Sequence, residues 1–186
     1  MACKLTSNIK HECTYNAGGI SKILLLDIRD FNTYVFKDDA LSDSCFISKI
    51  KVNSINYIDL DVVSETAFSE TNSNGIFKQQ LDTTVRAINS QTSSNLRIAL
   101  NNKYVVLYRD FNGRIFSFGS DGGVSLNYSI DSKENIYNIS LSKFSINTLY
   151  EVDKDALKMS VLGNKLGKFG LAGKKNDIYT LIELAQ

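Results

Sequence analysis

"GGISKILLLDIRDF", residues 18–31, is the stretch on which the fold turns. It opens on a glycine pair and then becomes apolar without alternating. A strand with one wet face alternates apolar and polar side chains, and a strand covered on both faces does not. Ile23, Leu24, Leu25, Leu26 and Ile28 therefore predict a strand with both faces covered. "TYVF" (33–36) continues it after a short bend. "CFISKIKV" (45–52) and "NYIDLDVV" (56–63) add short runs rich in β-formers.

Downstream the period becomes two. "YIDLDVVSETAF" (57–68) and "IFKQQLDTTVRAI" (76–88) are extended runs separated by "SETNSNG" (69–75). Leu81, Thr83, Val85 and Ala87 alternate with Asp82, Thr84 and Arg86, giving one drier and one wetter face. The separator ends in Asn74-Gly75, a favoured hairpin pair. The expectation is a long β-hairpin whose tip projects from the body. "NSQTSSNLRIALNN" (89–102) is the one helical stretch: Ser90, Thr92 and Ser93 are cap candidates, and Leu96 and Leu100 form an i, i+4 stripe. Four more strands follow, "KYVVLYRD", "RIFSFG", "VSLNYSID" and "IYNISLSKF", joined by the turns "DFNG", "SDGG" and "SKEN". Val124, Leu126, Tyr128 and Ile130 should share one face, as should Tyr137, Ile139 and Leu141. Turns every eight to twelve residues are an all-β signature. The expected fold is mainly β: an antiparallel β-sandwich or small barrel over 1–150 with one short helix, a projecting hairpin, and a C-terminal arm over 151–186.

Composition bounds the function. The 186 residues carry 21 basic and 20 acidic side chains, a net charge of +1, so a strongly basic nucleic-acid binder is not indicated. No apolar run is long enough for a spanning helix, and "MACKLTSNIK" lacks a signal-peptide core, so no membrane association is expected. Cys3, Cys13 and Cys45 form an odd set without disulfide-framework spacing, which fits reduced thiols in a cytoplasm. With His11 they offer zinc-ligand chemistry, but there is no CxxC pair; small side chains packed at an N-terminal strand is the plainer reading. A Ser-His-Asp or Cys-His arrangement would have to use His11, the single histidine. No GxSxG elbow, HExxH or EF-hand loop occurs. Asp59 and Asp61 would share a strand face about 7 Å apart, which suits either a cation or a solvated face. An enzyme and a cofactor are both unexpected.

The arm holds "GNKLGKFGLAGKK" (163–175). Its glycines and lysines resemble a phosphate loop, but Gly163 and Gly167 are separated by three residues instead of four, and Phe169 follows Lys168 where a hydroxyl should stand. Between Ala156 and Asn176 there are lysines at 158, 165, 168, 174 and 175 and no acid. Leu166, Phe169 and Leu171 interleave with that charge. The segment reads as a docking arm or a polyanion contact, with Lys165, Lys168, Lys174 and Lys175 as the contacting groups; a surface loop is the plainer alternative.

The order of features resembles a family of small virion structural proteins of tailed bacteriophages, especially crAss-like and related phages. The resemblance covers roughly residues 1–150: "MACKLT", a second cysteine, "NAGGISKILLLDIRDF", a mid-chain hairpin, and "KYVVLYRDFNGRIFSFGSDGGVSLNYSI". The positions that carry it are Val105, Val106, Asp110, Asn112, Gly113, Gly122 and Gly123. It implies a fold like that of phage tail-tube and neck proteins, in a closed homo-oligomeric ring of roughly six or twelve copies. It also implies partners: portal, adjacent rings or tail hub, with transient contact to genomic DNA in the lumen. The place would be the virion neck or tail, and the host cytoplasm during assembly. Glu70, Asn72, Asn74 and Phe77 of the hairpin are the expected inter-subunit residues. The alternative is a host- or carbohydrate-binding module using an exposed row of Phe116, Phe118 and Tyr128.

Overall fold

The computed structural model describes residues 18–36, 46–53, 57–60, 66–86, 88–152 and the backbone of 182–184. Twelve strands and one helix are found there: β1 Ile20–Asp27, β2 Phe31–Phe36, β3 Phe46–Val52, β4 Tyr57–Leu60, β5 Ala67–Ser73, β6 Ile76–Arg86, α1 Ser90–Ala99, β7 Lys103–Asp110, β8 Ile115–Phe118, β9 Val124–Asp131, β10 Ile136–Ser145, β11 Tyr150–Val152 and β12 Ile182–Leu184. The protein is mainly β, with an unclosed mixed sheet in the order β12-β3-β11-β8-β7-β9-β10-β6-β5; β1 adds beside β7, β4 beside β1, and β2 beside β3.

The apolar run of the opening stretch is β1, and both its faces are covered. Ile23 and Leu25 enter one core with Tyr104, Val106 and Tyr108, while Leu24 and Leu26 enter a second with Val105 and Leu107. The β1–β7 register explains this sorting, because Leu24 faces Leu107 and Leu25 faces Val106 across the ladder. Directly opposed residues point to the same side of a sheet. These two strands are therefore a central layer. The first core fills the space under β9, β10, β6, β5 and α1, and the second lies under β2, β3 and β11. Full burial of each such aliphatic side chain contributes roughly 1.5–3 kcal/mol, so the centre of the layer is where most apolar stabilisation gathers.

β7 forms the branch point. One edge pairs with β1; the other is shared, with β8 taking Val106–Arg109 and β9 taking Lys103 and Tyr104. The chain passes from β8 to β9 through a turn closed by a hydrogen bond from Gly123 N to Gly119 O at 2.8 Å. Only glycine fits its ends. Gly123 has φ +82°, and a Cβ there would lie 2.5 Å from Lys103 Cβ; Gly119 has φ +95°, and its Cβ would lie 2.9 Å from the Tyr104 carbonyl. The "DFNG" turn from β7 to β8 is held by Asp110, whose carboxylate accepts from Arg114 N at 2.8 Å and Arg114 Nε at 3.1 Å.

Several expectations are corrected. The run 57–68 is shared between two pairings: Tyr57–Leu60 pairs with β1, and Ala67–Ser73 pairs with β6 as the first strand of the hairpin. Polar residues 69–73 extend that strand because their backbone pairs with β6 whatever their side chains. The helix is capped by Asn89, outside the proposed Ser90, Thr92 and Ser93; its extended backbone lets Oδ1 accept from Thr92 N at 2.7 Å. Leu96 is buried with Ala99, whereas Leu100 is the C-cap and half exposed. Val124 and Leu126 are buried as expected, but Ile130 is exposed where β9 runs beyond the core. Pairing is antiparallel except at β3, which β11 and β12 both join in parallel. The 150/151 boundary thus falls inside β11, whose Val152 belongs to the second core.

Candidate functional site

The hairpin closes through Asn74 and Gly75, with φ of +53° and +82°. Two positive values in succession make the tight turn whose twist suits antiparallel strands. Asn72 Oδ1 accepts from Gly75 N at 3.3 Å. β6 is paired with β10 from Arg86 down to Phe77, so Phe77 is half-buried in a three-stranded region, and Ile76 and the turn lie past that ladder. β5 is different: β6 is its one partner among the described residues, and its other edge is open.

The register says which backbone groups face that open edge. In a two-residue hairpin the pair flanking the turn is hydrogen-bonded, and bonded and non-bonded pairs then alternate. Ser73 faces Ile76, so Ser73, Thr71, Ser69 and Ala67 bond to β6. Phe68, Glu70 and Asn72 therefore turn their N–H and C=O outward. Glu70 is thus an edge residue through its backbone. Its side chain is committed within the chain: the carboxylate accepts from Gln79 Nε2 at 2.8 Å, Thr148 Oγ1 at 2.7 Å and Leu149 N at 2.8 Å. Gln79 Nε2 also donates to the Asn147 carbonyl at 3.1 Å. This arrangement ties the loop after β10 to the hairpin. Gln79 is fully buried, and its Oε1 is a buried acceptor without a donor among the described residues.

A second polar tie lies beside it. Lys143 Nζ donates to the Asp121 carbonyl at 2.6 Å and pairs with Asp121 Oδ1 at 3.0 Å, while Ser145 Oγ donates to Asp121 Oδ2 at 2.7 Å. Burial pushes the Asp121 carboxyl up, but the hydrogen bonds from Ser145 and Lys143 and the Lys143 charge outweigh it and hold the group below its ordinary value.

The sequence reading missed the apolar side chains on the outer face at this end. Phe144 is 71% exposed and Ile146 is 77% exposed, with Ile76 half exposed nearby. Phe144 faces Lys78 across the ladder, and Ser145 faces Phe77, so Ile76 and Ile146 sit one step farther along. The missed signal was parity: Tyr137, Ile139 and Leu141 point inward, so Phe144 had to point outward.

Other candidates are placed as follows. Lys165, Lys168, Lys174 and Lys175 lie outside the described residues, as do Cys3, His11, Cys13, Cys45 and Asp61. Asp59 lies 3.4 Å from Lys22 in an ion pair on the β1–β4 surface. Phe116, Phe118 and Tyr128 do not form an exposed row: Phe118 is buried, and the other two pack against the first core. Among the described residues no group of three metal-ligating side chains converges, and no helix is long and apolar enough to cross a membrane.

Comparison of the chain with protein-family models, curated proteins and solved structures finds no match.

Proposed function

We propose that this protein is a non-enzymatic structural subunit of a tailed-phage virion, assembling head to tail into a ring in the neck or tail around a DNA conduit. The observation that carries assembly is the outer edge of β5, seven residues long and unpaired among the described residues, at the end of an unclosed sheet. An open edge offers unmet N–H and C=O groups to another strand. Contacts between two different surfaces of one chain close into a ring when the rotation permits. The assignment to a virion rests on the resemblance across residues 1–150, and the near-neutral charge suits a conduit that must let DNA pass. In this reading Lys165, Lys168, Lys174 and Lys175 meet a polyanion or a neighbouring protein.

Asn72→Pro tests it directly. Proline at this position deletes an outward-facing N–H and leaves the β5–β6 ladder donors in place. Sedimentation velocity and negative-stain microscopy should show annuli for the wild type and single subunits for the variant. A wild-type chain that remains monomeric at every concentration examined sinks the proposal.

A further inference from the structure

The molecule carries an apolar cavity far in sequence from the exposed knob of Phe144 and Ile146. It lies between α1 and the β1–β4 pair and has a volume of about 470 Å³. That is within the roughly 300–1,000 Å³ of cavities that accept drug-sized molecules, so it has room for large side chains. Leu25, Tyr57, Ala99 and Tyr104 line it. Ile58 and Ile98 also line it and are respectively 49% and 61% exposed, unusual positions for isoleucine on a charged or polar surface.

Charge at its rim is asymmetric. Asp27, Arg29 and Asp30 border the cavity. Arg29 donates through Nε to Asp27 Oδ1 at 2.9 Å, and this hydrogen bond holds the Asp27 carboxyl below its ordinary value. Among the described residues of the rim, the pair neutralises itself and leaves Asp30 as one net negative charge. At the knob the sign is reversed. Lys78 is exposed, sits across from Phe144, and forms no ion pair with another described residue.

We infer that the Phe144–Ile146 knob of one copy seats in the α1–β4 cavity of the next, with Lys78 of the first copy facing Asp30 of the second. The inference rests on the ring reading and names its side-chain contact. Knob and cavity lie on different elements of the same chain, so the contact is heterologous and leaves each copy with one free knob and one free cavity. That geometry propagates until a ring closes. β4 borders the cavity and pairs, among the described residues, with β1 alone. A neighbour seated there also meets an open strand edge.

The test uses two full-length variants, each altered at exposed positions so that the fold is spared. One carries Phe144→Ser with Ile146→Ser, and the other carries Ile98→Lys. Each alone should need at least about tenfold more protein to assemble, the equivalent of about 1.4 kcal/mol. Mixed in equal amounts, the two should form a 1:1 heterodimer that grows no further, because one intact knob meets one intact cavity. Lys78→Glu should weaken assembly of the wild-type background, and Asp30→Lys added to it should restore assembly. Thermal unfolding of each variant checks that it is folded; if either is not, the Lys78→Glu and Asp30→Lys pair decides alone. Annuli undiminished in the variants, or a mixture in which no heterodimer forms, overturns the contact and leaves the ring reading standing. A wild type without annuli removes both.

Discussion

β1 and β5 are strands of similar length placed in opposite surroundings. β1 is paired on both edges and buried on both faces from Ile23 to Leu26. β5 is paired on one edge, and the side chains at Ala67, Ser69, Thr71 and Ser73 are exposed. The same backbone conformation is secured by side-chain burial in the first case and by a partner's ladder in the second. A strand of the first kind has no capacity left for recognition. One of the second kind contributes little to the core and leaves hydrogen-bonding groups outside its ladder. The difference separates residues that hold the fold together from residues whose backbone groups lie outside its ladders.

The largest test of that contrast pairs two truncations. Leu107→Ala should lose about 2–5 kcal/mol in urea unfolding, as buried leucines do, whereas Thr71→Ala should stay within about 0.5 kcal/mol. Equal losses would break the comparison. Next comes the branch of the sheet at β7. Gly123→Ala forces a Cβ against Lys103 at positive φ, with an expected loss of about 1–3 kcal/mol; a neutral outcome would mean that the turn relaxes without moving β7. Third is Glu70, the point at which the margin is fastened. Glu70→Ala takes one of two acceptors from the buried Gln79 Nε2 and removes the acceptor of the Leu149 N–H, so about 1–3 kcal/mol should be lost, and the amides of 147–149 should exchange faster. An unchanged exchange rate would show that the loop is held by other contacts.

The smallest effect depends on pH. The Asp121 carboxyl titrates below its unfolded value of about 3.8. The native state therefore binds fewer protons than the unfolded chain in that window. Its contribution is fully present above pH 3.8 and is lost as pH falls through the lower native value. Asp121→Asn should lose stability at neutral pH and show a flatter acid limb, the two curves converging below the native pKa. Parallel curves down to pH 2 would sever the carboxylate from the stability of this end.

The parts of the fold visible in the sequence are those in which side-chain pattern dictates backbone state. The unalternating Ile23–Leu26 run required cover on both faces and received it. Asn74-Gly75 required positive φ and adopted it. Strand pairing was less visible, because pairing is chosen by contacts far apart along the chain. Nothing local distinguishes Tyr57–Leu60 as a partner of β1 from a continuation of the hairpin. Polar β5 was read as turn because its conformation comes from β6. The candidate site was half legible: the hairpin was marked by its turn, but the Glu70 network depends on residues 147–149 folding back, a distance of 79 positions from Glu70 to Leu149. The knob was legible by parity alone. The cavity was not, since its walls come from β1, β4, α1 and β7.

β7 has a consequence for the mechanics of the domain. Its successive side chains alternate between the two cores, and its far edge is divided between two strands. Neither half of the molecule can separate while β7 stays where it is, because each half uses that strand as a wall. The amides of Val105, Val106 and Leu107 should therefore be released to solvent deuterium at the slowest rate in the chain, set by global opening. A pull applied at the β5 margin would then be borne by the whole domain at once.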